Sequence, residues 1–170
     1  MTVFVALLRA INVGGTGTLS MKELSAWCTN LGLDKVRTYI QSGNIVFESK
    51  LSEDAVRNKL EQTLAKNIGK RVDVVVRTAS DLRSVLEANP FPDAQPEKIA
   101  VVFQSGPLPE GLLDNLVIPG GEDIRPGKRE IYIHYPDGMG RSKLKLHSLM
   151  GTATARNINT VAKLVAMTAA

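Results

Sequence analysis

Basic side chains are concentrated in the last 33 residues of this chain, Gly138–Ala170, where no acidic residue occurs. The five cations of this segment are Arg141, Lys143, Lys145, Arg156 and Lys163. Residues 1–137 contain the other 16 Lys and Arg residues and all 17 Asp and Glu residues, which gives them a net charge of −1. The net charge of +4 therefore comes from the terminal segment. Clustered cations among Ser, Thr and Asn are typical of surfaces that bind phosphate, nucleotides or a nucleic-acid backbone.

Residues 138–143, GMGRSK, have the composition of a phosphate-binding loop. Two glycines beside Arg141, Ser142 and Lys143 could present backbone and side-chain donors to one oxyanion. The spacing is not that of a P-loop, GxxxxGK[ST]. An ordinary polar turn is an equally good interpretation of this segment.

Two further polar segments occur in the first half of the chain. Residues 12–18, NVGGTGT, begin with Asn12 and join a predicted strand to a predicted helix. Their glycine spacing does not match GxGxxG, which disfavours dinucleotide binding. Residues 39–44, YIQSGN, place Gln41, Ser42 and Asn44 at a predicted hairpin, where these side chains either face a ligand or satisfy the turn geometry.

Residues typical of catalysis or metal binding are scattered. His134 and His147 have no Cys or carboxylate at metal-ligand spacing, and Cys28 falls on the apolar face of a predicted helix. We therefore predict no metal and no cofactor, and leave open which residues could be catalytic and whether the protein is an enzyme. Aromatic residues make up 5% of the chain, which disfavours a base-stacking surface for single-stranded nucleic acid.

Hydrophobic periodicity predicts the order β-α-β-β-α-β for the first half, which is the ferredoxin-like pattern. Two helices are predicted to begin after the caps Ser20 and Ser52. The predicted strands are Val3–Leu8, Val36–Gln41, Asn44–Glu48 and Val72–Arg77.

The second half repeats most of this order but is one strand short. Its predicted strands are Ile99–Gln104, Glu122–Arg125 and Glu130–Tyr135, and its predicted helices are Ser80–Ala88, Pro109–Val117 and Arg156–Met167. We expect an α+β fold of two ferredoxin-like halves, with mainly antiparallel sheets and helices packed on the sheet faces. The predicted divisions are residues 1–78, a connecting helix and linker at 79–97, and residues 98–170.

The predicted terminal helix combines an apolar stripe with a polar face. With Thr154 as N-cap, Arg156 falls in the first turn, where a cation opposes the helix dipole by roughly 0.3–1 kcal/mol. A bound anion would offset that cost. In this interpretation Arg156, Asn159 and Lys163 lie near one another, and the alternative is that Arg156 points into solvent or pairs with a carboxylate.

The single cysteine and the lack of a long apolar stretch favour a cytoplasmic protein with no membrane partner.

Four strings carry a family resemblance: LLRAINVGG from Leu7, RTYIQSGNIVF from Arg37, RSKL from Arg141 and ARNINTVAKL from Ala155. In this order they resemble DUF1697, a mainly bacterial family of unknown function. The resemblance implies a cytoplasmic protein built from ferredoxin-like halves and supplies no activity. Ala10 and Ile158 depart from the family pattern, which usually has Gly and an aromatic residue there. The resemblance groups the first strand's tip, the first hairpin and the terminal helix as parts of one candidate site.

We therefore expect a protein that binds a phosphorylated small molecule or a nucleotide. The predicted ligand-binding residues are Arg9, Asn12, Gln41, Ser42, Asn44, Arg141, Ser142, Lys143, Arg156, Asn157, Asn159 and Lys163. The alternatives are an enzyme acting on a phosphate-containing substrate, a nucleic-acid-binding module, which is less favoured, and a protein-interaction module. The oligomeric state is left open.

Overall fold

The computed structural model describes residues 1–9, 20–39, 43–108, 110–111, 113, 118, 120–138 and 153–169. These residues form an α+β fold with two four-stranded antiparallel sheets and four α-helices, which confirms the predicted fold class. They divide into two compact units, Met1–Leu82 with Leu164–Ala170, and Arg83–Lys163. The predicted domain boundaries and the relatedness of the halves stay predictions. In the described ranges, no helix has the length and apolar character needed to cross a membrane.

The first sheet has the strand order β2-β3-β1-β4, with every neighbouring pair antiparallel. Its elements follow the predicted β-α-β-β-α-β order: β1 (Thr2–Leu8), α1 (Met21–Asn30), β2 (Asp34–Tyr39), β3 (Asn44–Ser49), α2 (Glu53–Ile68) and β4 (Val74–Thr78).

Both predicted helix caps are confirmed. Ser20 Oγ accepts a hydrogen bond of 3.0 Å from the main-chain N–H of Glu23, and Ser52 Oγ accepts one of 3.2 Å from that of Ala55. Each bond satisfies a main-chain donor that has no partner within the first turn of a helix.

Both faces of the first sheet are buried. Phe4, Ala6 and Leu8 of β1 belong to a core cluster that also includes Leu24 of α1 and Leu60 of α2. Val5 and Leu7 of β1 point to the other face and are also buried. This two-sided burial explains why β1 is apolar at nearly every position rather than at every second one.

The second sheet has the order β6-β7-β5-β8, again antiparallel throughout. The remaining elements are α3 (Ala79–Glu87), a 3₁₀ turn (Pro96–Lys98), β5 (Ile99–Phe103), β6 (Asp123–Pro126), β7 (Glu130–His134), β8 (Thr154–Asn157) and α4 (Ile158–Thr168). In this order, β5 occupies the position in the second sheet that β1 occupies in the first sheet. Strand β8 likewise occupies the position of β4.

Strand β8 corrects the prediction for the end of the chain. The terminal helix begins at Ile158, so Arg156 does not lie in its first turn and Thr154 is not its N-cap. Thr154 and Arg156 instead pair with Phe103 and Val101 of β5. Pairing with β5 gives these main-chain groups their hydrogen bonds, and β8 is the strand that the prediction lacked. Most of the predicted helix at residues 109–117 lies outside the described residues.

Candidate functional site

Arg9 and Gly43 lie at the same end of the first sheet. The main-chain N–H of Leu8, the last residue of β1, donates a hydrogen bond of 2.9 Å to the carbonyl oxygen of Gly43. Arg9, which leads into residues 10–19, therefore starts beside the β2–β3 connection. The predicted ligand residues Asn12, Gln41 and Ser42 lie outside the described residues.

Arg9 also contacts the segment that leads into β4. Its main-chain N–H donates to the carbonyl oxygen of Asp73 at 2.9 Å, and its Nη1 lies 3.7 Å from Asp73 Oδ2. Arg71 Nε donates to Asp73 Oδ1 at 3.0 Å. One carboxylate thus contacts two guanidinium groups, and the Arg9 side chain keeps 30% of its surface exposed. We call Arg9, Gly43, Asn44, Arg71 and Asp73 the Arg9 end.

Asn44 has a structural role at this end. It is fully buried as the first residue of β3, and its Nδ2 donates a hydrogen bond of 2.9 Å to the carbonyl oxygen of Tyr39. This bond joins the last residue of β2 to the first residue of β3. It supports the interpretation of Asn44 as a residue that satisfies the turn geometry.

Arg156 is a buried residue of β8, with 7% of its surface exposed. Its Nη1 donates to Thr154 Oγ1 at 2.8 Å and to the carbonyl oxygen of Ala155 at 2.9 Å. Burial lowers the pKa of the guanidinium to about 10, because removal from water disfavours the charged form.

Asn157 connects β8 to the start of α4. Its Oδ1 accepts a hydrogen bond of 2.8 Å from the main-chain N–H of Asn159, which is the contact made by an N-cap residue. Its Nδ2 donates to the carbonyl oxygen of Glu97 at 3.0 Å. The cap of the terminal helix is therefore Asn157, not Thr154.

Asn159 and Lys163 lie one turn apart on the exposed face of α4. The opposite stripe of α4, formed by Ile158, Val161 and Leu164, is buried, as its spacing predicted. Arg156 does not share the exposed face, because it belongs to β8. The predicted residues Arg141, Ser142 and Lys143 lie outside the described residues.

Asp73 and Arg71 are the residues of the Arg9 end that the sequence analysis missed. Residues 72–77, VDVVVR, look like one buried strand, and Asp73 was included in it. The signal that could have found the pair is the alternation of Arg71 and Asp73, since residues two apart in an extended segment point to the same side.

The described residues contain no group of three or more His, Cys, Asp or Glu side chains arranged to hold a metal ion. Burial raises the pKa of the Cys28 thiol to about 12, so this core thiol is protonated at neutral pH. The His134 ring packs against Phe91 with the ring centroids 5.7 Å apart. Neither residue lies at the Arg9 end.

Comparison with known proteins decides the family. A family model described as a protein of unknown function, DUF1697, matches residues 1–132. The chain belongs to the DUF1697 family. This DUF1697 chain is similar to the solved structure of the conserved bacterial protein SP0830 from Streptococcus pneumoniae, with 28% sequence identity and a TM-score of 0.83. The match covers 100% of this chain and 99% of that chain. None of the curated proteins matches the chain.

Proposed function

We propose that this DUF1697 protein binds a phosphate-bearing small molecule at the Arg9 end of the first sheet. The observation that carries the proposal is the hydrogen bond from Leu8 to Gly43. It places Gly43 beside Leu8, the residue that precedes Arg9. In sequence, Arg9 precedes the polar segment 12–18 and Gly43 belongs to the polar segment 39–44, and both segments contain residues that we predict to contact the ligand.

The charge of this end supports an anionic ligand. Arg71 is exposed and bonded to Asp73, and Arg9 is half-buried beside the same carboxylate. These three side chains sum to +1. A partly buried guanidinium is less screened by salt than an exposed one, and its planar donors match the geometry of a phosphate group.

The composition of the chain favours a compact ligand over nucleic acid. Aromatic residues are 5% of the chain, so stacked bases would find few partners. The other residues predicted to bind a ligand are not part of the Arg9 end, and their role stays a prediction of the sequence: Arg141, Ser142, Lys143, Asn159 and Lys163. The alternative predictions remain an enzyme with a phosphate-containing substrate, a nucleic-acid-binding module and a protein-interaction module.

A thermal-shift screen tests the proposal with inorganic phosphate, pyrophosphate, nucleotides and sugar phosphates. A ligand at about 100 times its Kd stabilises a one-site protein by about 2.7 kcal/mol, which raises the Tm of a chain of this size by roughly 5–10 °C. Arg9→Ala should reduce this shift. Arg57→Ala is the matched control, because the Arg57 side chain is 27% exposed and lies 3.4 Å from a carboxylate oxygen of Asp54.

The proposal stands if at least one phosphate-bearing compound stabilises the wild type and Arg57→Ala equally, and Arg9→Ala less. It fails if no compound in the screen stabilises the wild type, or if the two variants respond alike.

A further inference from the structure

Arg37 of strand β2 binds the end of the terminal helix. Its Nη1 donates a hydrogen bond of 2.7 Å to the carbonyl oxygen of Met167, in the last turn of α4. Both residues belong to the first compact unit. Arg37 Nε is buried and has no hydrogen-bond partner among the residues that the structure describes. Within this part of the chain, the Arg37 guanidinium is held by the Met167 carbonyl oxygen.

The bond meets a requirement of the helix end. The last carbonyl groups of an α-helix have no partner within the helix, and the helix dipole makes this end negative. The last turn of α4 contains no basic side chain of its own. A cation from another element is therefore favourable there, and Arg37 supplies it through a charge-assisted hydrogen bond.

Strand β2 has limited attachment to the rest of its sheet. It is the outermost strand in the order β2-β3-β1-β4, so β3 holds it from one side. The register of this pair shifts between Asp34 and Arg37. Beyond the shift, the ladder begins with Arg37 opposite Val46 and ends with Tyr39 opposite Asn44. The bond to α4 thus adds a second attachment at the residue where the regular ladder begins.

The regular part of β2 leads from Arg37 to the Arg9 end. Tyr39 is two residues further along the strand, a distance of about 7 Å. It lies opposite Asn44, whose Nδ2 donates to the Tyr39 carbonyl oxygen at 2.9 Å. Gly43, the residue before Asn44, accepts the hydrogen bond of 2.9 Å from Leu8 N. Hydrogen bonds and strand pairs therefore connect the end of α4 with the Arg9 end.

We propose that Arg37 is a positioning residue of the Arg9 end, through which the last turn of α4 regulates ligand affinity. While Arg37 binds the Met167 carbonyl oxygen, β2 keeps its place beside β3 and the Leu8–Gly43 bond holds. Release of the helix end loosens β2 and the connection at Gly43, so the Arg9 end binds a phosphate group more weakly. The effect on affinity rests on the proposed function.

Amide hydrogen exchange tests the positioning role without a ligand. The Leu8 amide reports on the bond to Gly43, and the Gln104 amide, which donates to the Arg129 carbonyl oxygen at 3.1 Å, reports on the second sheet. Arg37→Met should speed exchange at Leu8 about tenfold and leave exchange at Gln104 within about twofold of wild type. Equally faster exchange at both amides would assign Arg37 a general structural role and overturn the inference.

Two further variants keep the test valid if Arg37→Met fails to fold. Arg37→Lys keeps a cation near the helix end and should restore part of the protection at Leu8. Ala166→Gly retains Arg37 but weakens the last turn of α4 at an exposed position, so it should also speed exchange at Leu8. Arg57→Met, which replaces a half-buried arginine of α2, is the matched control and should leave exchange at Leu8 unchanged.

An NMR titration of the ¹⁵N-labelled protein with inorganic phosphate tests the effect on affinity, with potassium chloride at equal ionic strength as the blank. The amide signals of Arg9 and Arg71 report on the Arg9 end. Arg37→Met should raise the phosphate Kd at these signals about fivefold or more. Arg57→Met should leave this Kd within about twofold of wild type.

Two results would overturn the inference. One is unchanged exchange at Leu8 in both Arg37→Met and Ala166→Gly, and the other is faster exchange with an unchanged phosphate Kd. The absence of saturable shifts at Arg9 and Arg71 in the wild type would instead contradict the proposed function. Exchange at Leu8 would then decide the positioning role by itself.

Discussion

The main-chain N–H of Leu8 donates a hydrogen bond of 2.9 Å to the carbonyl oxygen of Gly43, and this bond ties the end of β1 to the β2–β3 connection. Because β1 pairs with β3 and Leu7 lies opposite Asn44, Leu8 lies beside Gly43, the residue that precedes β3. Arg9 stands at this junction with its guanidinium next to Asp73. The candidate site is thus a consequence of strand order and register.

Asp73→Asn should strengthen phosphate binding at the Arg9 end. The carboxylate lies 3.7 Å from Arg9 Nη1 and 3.0 Å from Arg71 Nε, so it competes with a ligand for both cations. Removing one charge at such distances changes an interaction by about 1 kcal/mol at high dielectric, or roughly fivefold in Kd. Calorimetric titration with the best ligand of the thermal-shift screen measures this change, and weaker binding by Asp73→Asn would show that the carboxylate orients Arg9.

Arg156→Ala should destabilise the protein far more than Lys163→Ala. The Arg156 guanidinium is buried and bonded to Thr154 and the Ala155 carbonyl, so its loss leaves a cavity and unsatisfied groups. We expect a loss of about 2–4 kcal/mol in the free energy of unfolding, against about 0.5 kcal/mol or less at exposed Lys163. Urea denaturation measures both, and equal losses would contradict the placement of Arg156 in a buried strand.

Asn157→Ala should cost about 1–2 kcal/mol, because it removes the cap of α4 and the bond to the Glu97 carbonyl oxygen. Asn157→Asp keeps the oxygen that accepts from Asn159 and loses the donor. The free energy of unfolding of the aspartate variant, measured by chemical denaturation, should therefore lie between those of the wild type and the alanine variant. If both substitutions cost the same, the cap contributes nothing to stability.

Stability should fall as the pH rises above 9 because of Cys28. Burial raises the pKa of this thiol from 9.0 to about 12 in the folded protein. Below pH 9 the folded and the unfolded protein both keep the thiol proton, so the contribution of Cys28 to the free energy of unfolding is fully present there. Between pH 9 and 12 the unfolded chain loses the proton while the folded chain keeps it, so unfolding becomes more favourable.

The Cys28 thiol should lower the free energy of unfolding by about 1.4 kcal/mol between pH 8 and 10. Cys28→Ala should remove that part of the decline, whatever its own cost at pH 8. Denaturation curves at the two pH values measure the difference, and parallel declines in wild type and variant would contradict the assignment.

The strands of both sheets were predictable where apolar residues fill a segment bounded by turn residues, as in β1 and β5. Strand β8 was not, because Thr154 and Arg156 are polar and the strand runs directly into α4 without a breaking residue. A threonine before a helix looks like an N-cap in sequence. Only the pairing with β5 shows that the Arg156 side chain lies in a sheet, bonded to Thr154.

The candidate site was predictable in its parts. Glycine and polar side chains after β1 and around Gly43 marked both segments, and the resemblance to the DUF1697 family grouped them. The contact between Asp73 and Arg9 was not predictable, because the two residues are distant along the chain and Asp73 precedes an apolar strand. Their contact depends on β1 pairing with β4, where Leu8 lies opposite Val74.

Isothermal titration calorimetry of the wild type, Arg9→Ala and Arg57→Ala with the ligand from the screen tests the central claim most directly. Loss of a charge-assisted hydrogen bond costs about 1.5–3 kcal/mol, so Arg9→Ala should raise the Kd roughly tenfold to a hundredfold. Arg57→Ala, which removes a similarly exposed arginine that also lies near carboxylates, should leave the Kd within about twofold of wild type. Equal Kd values for all three proteins would contradict ligand binding at the Arg9 end.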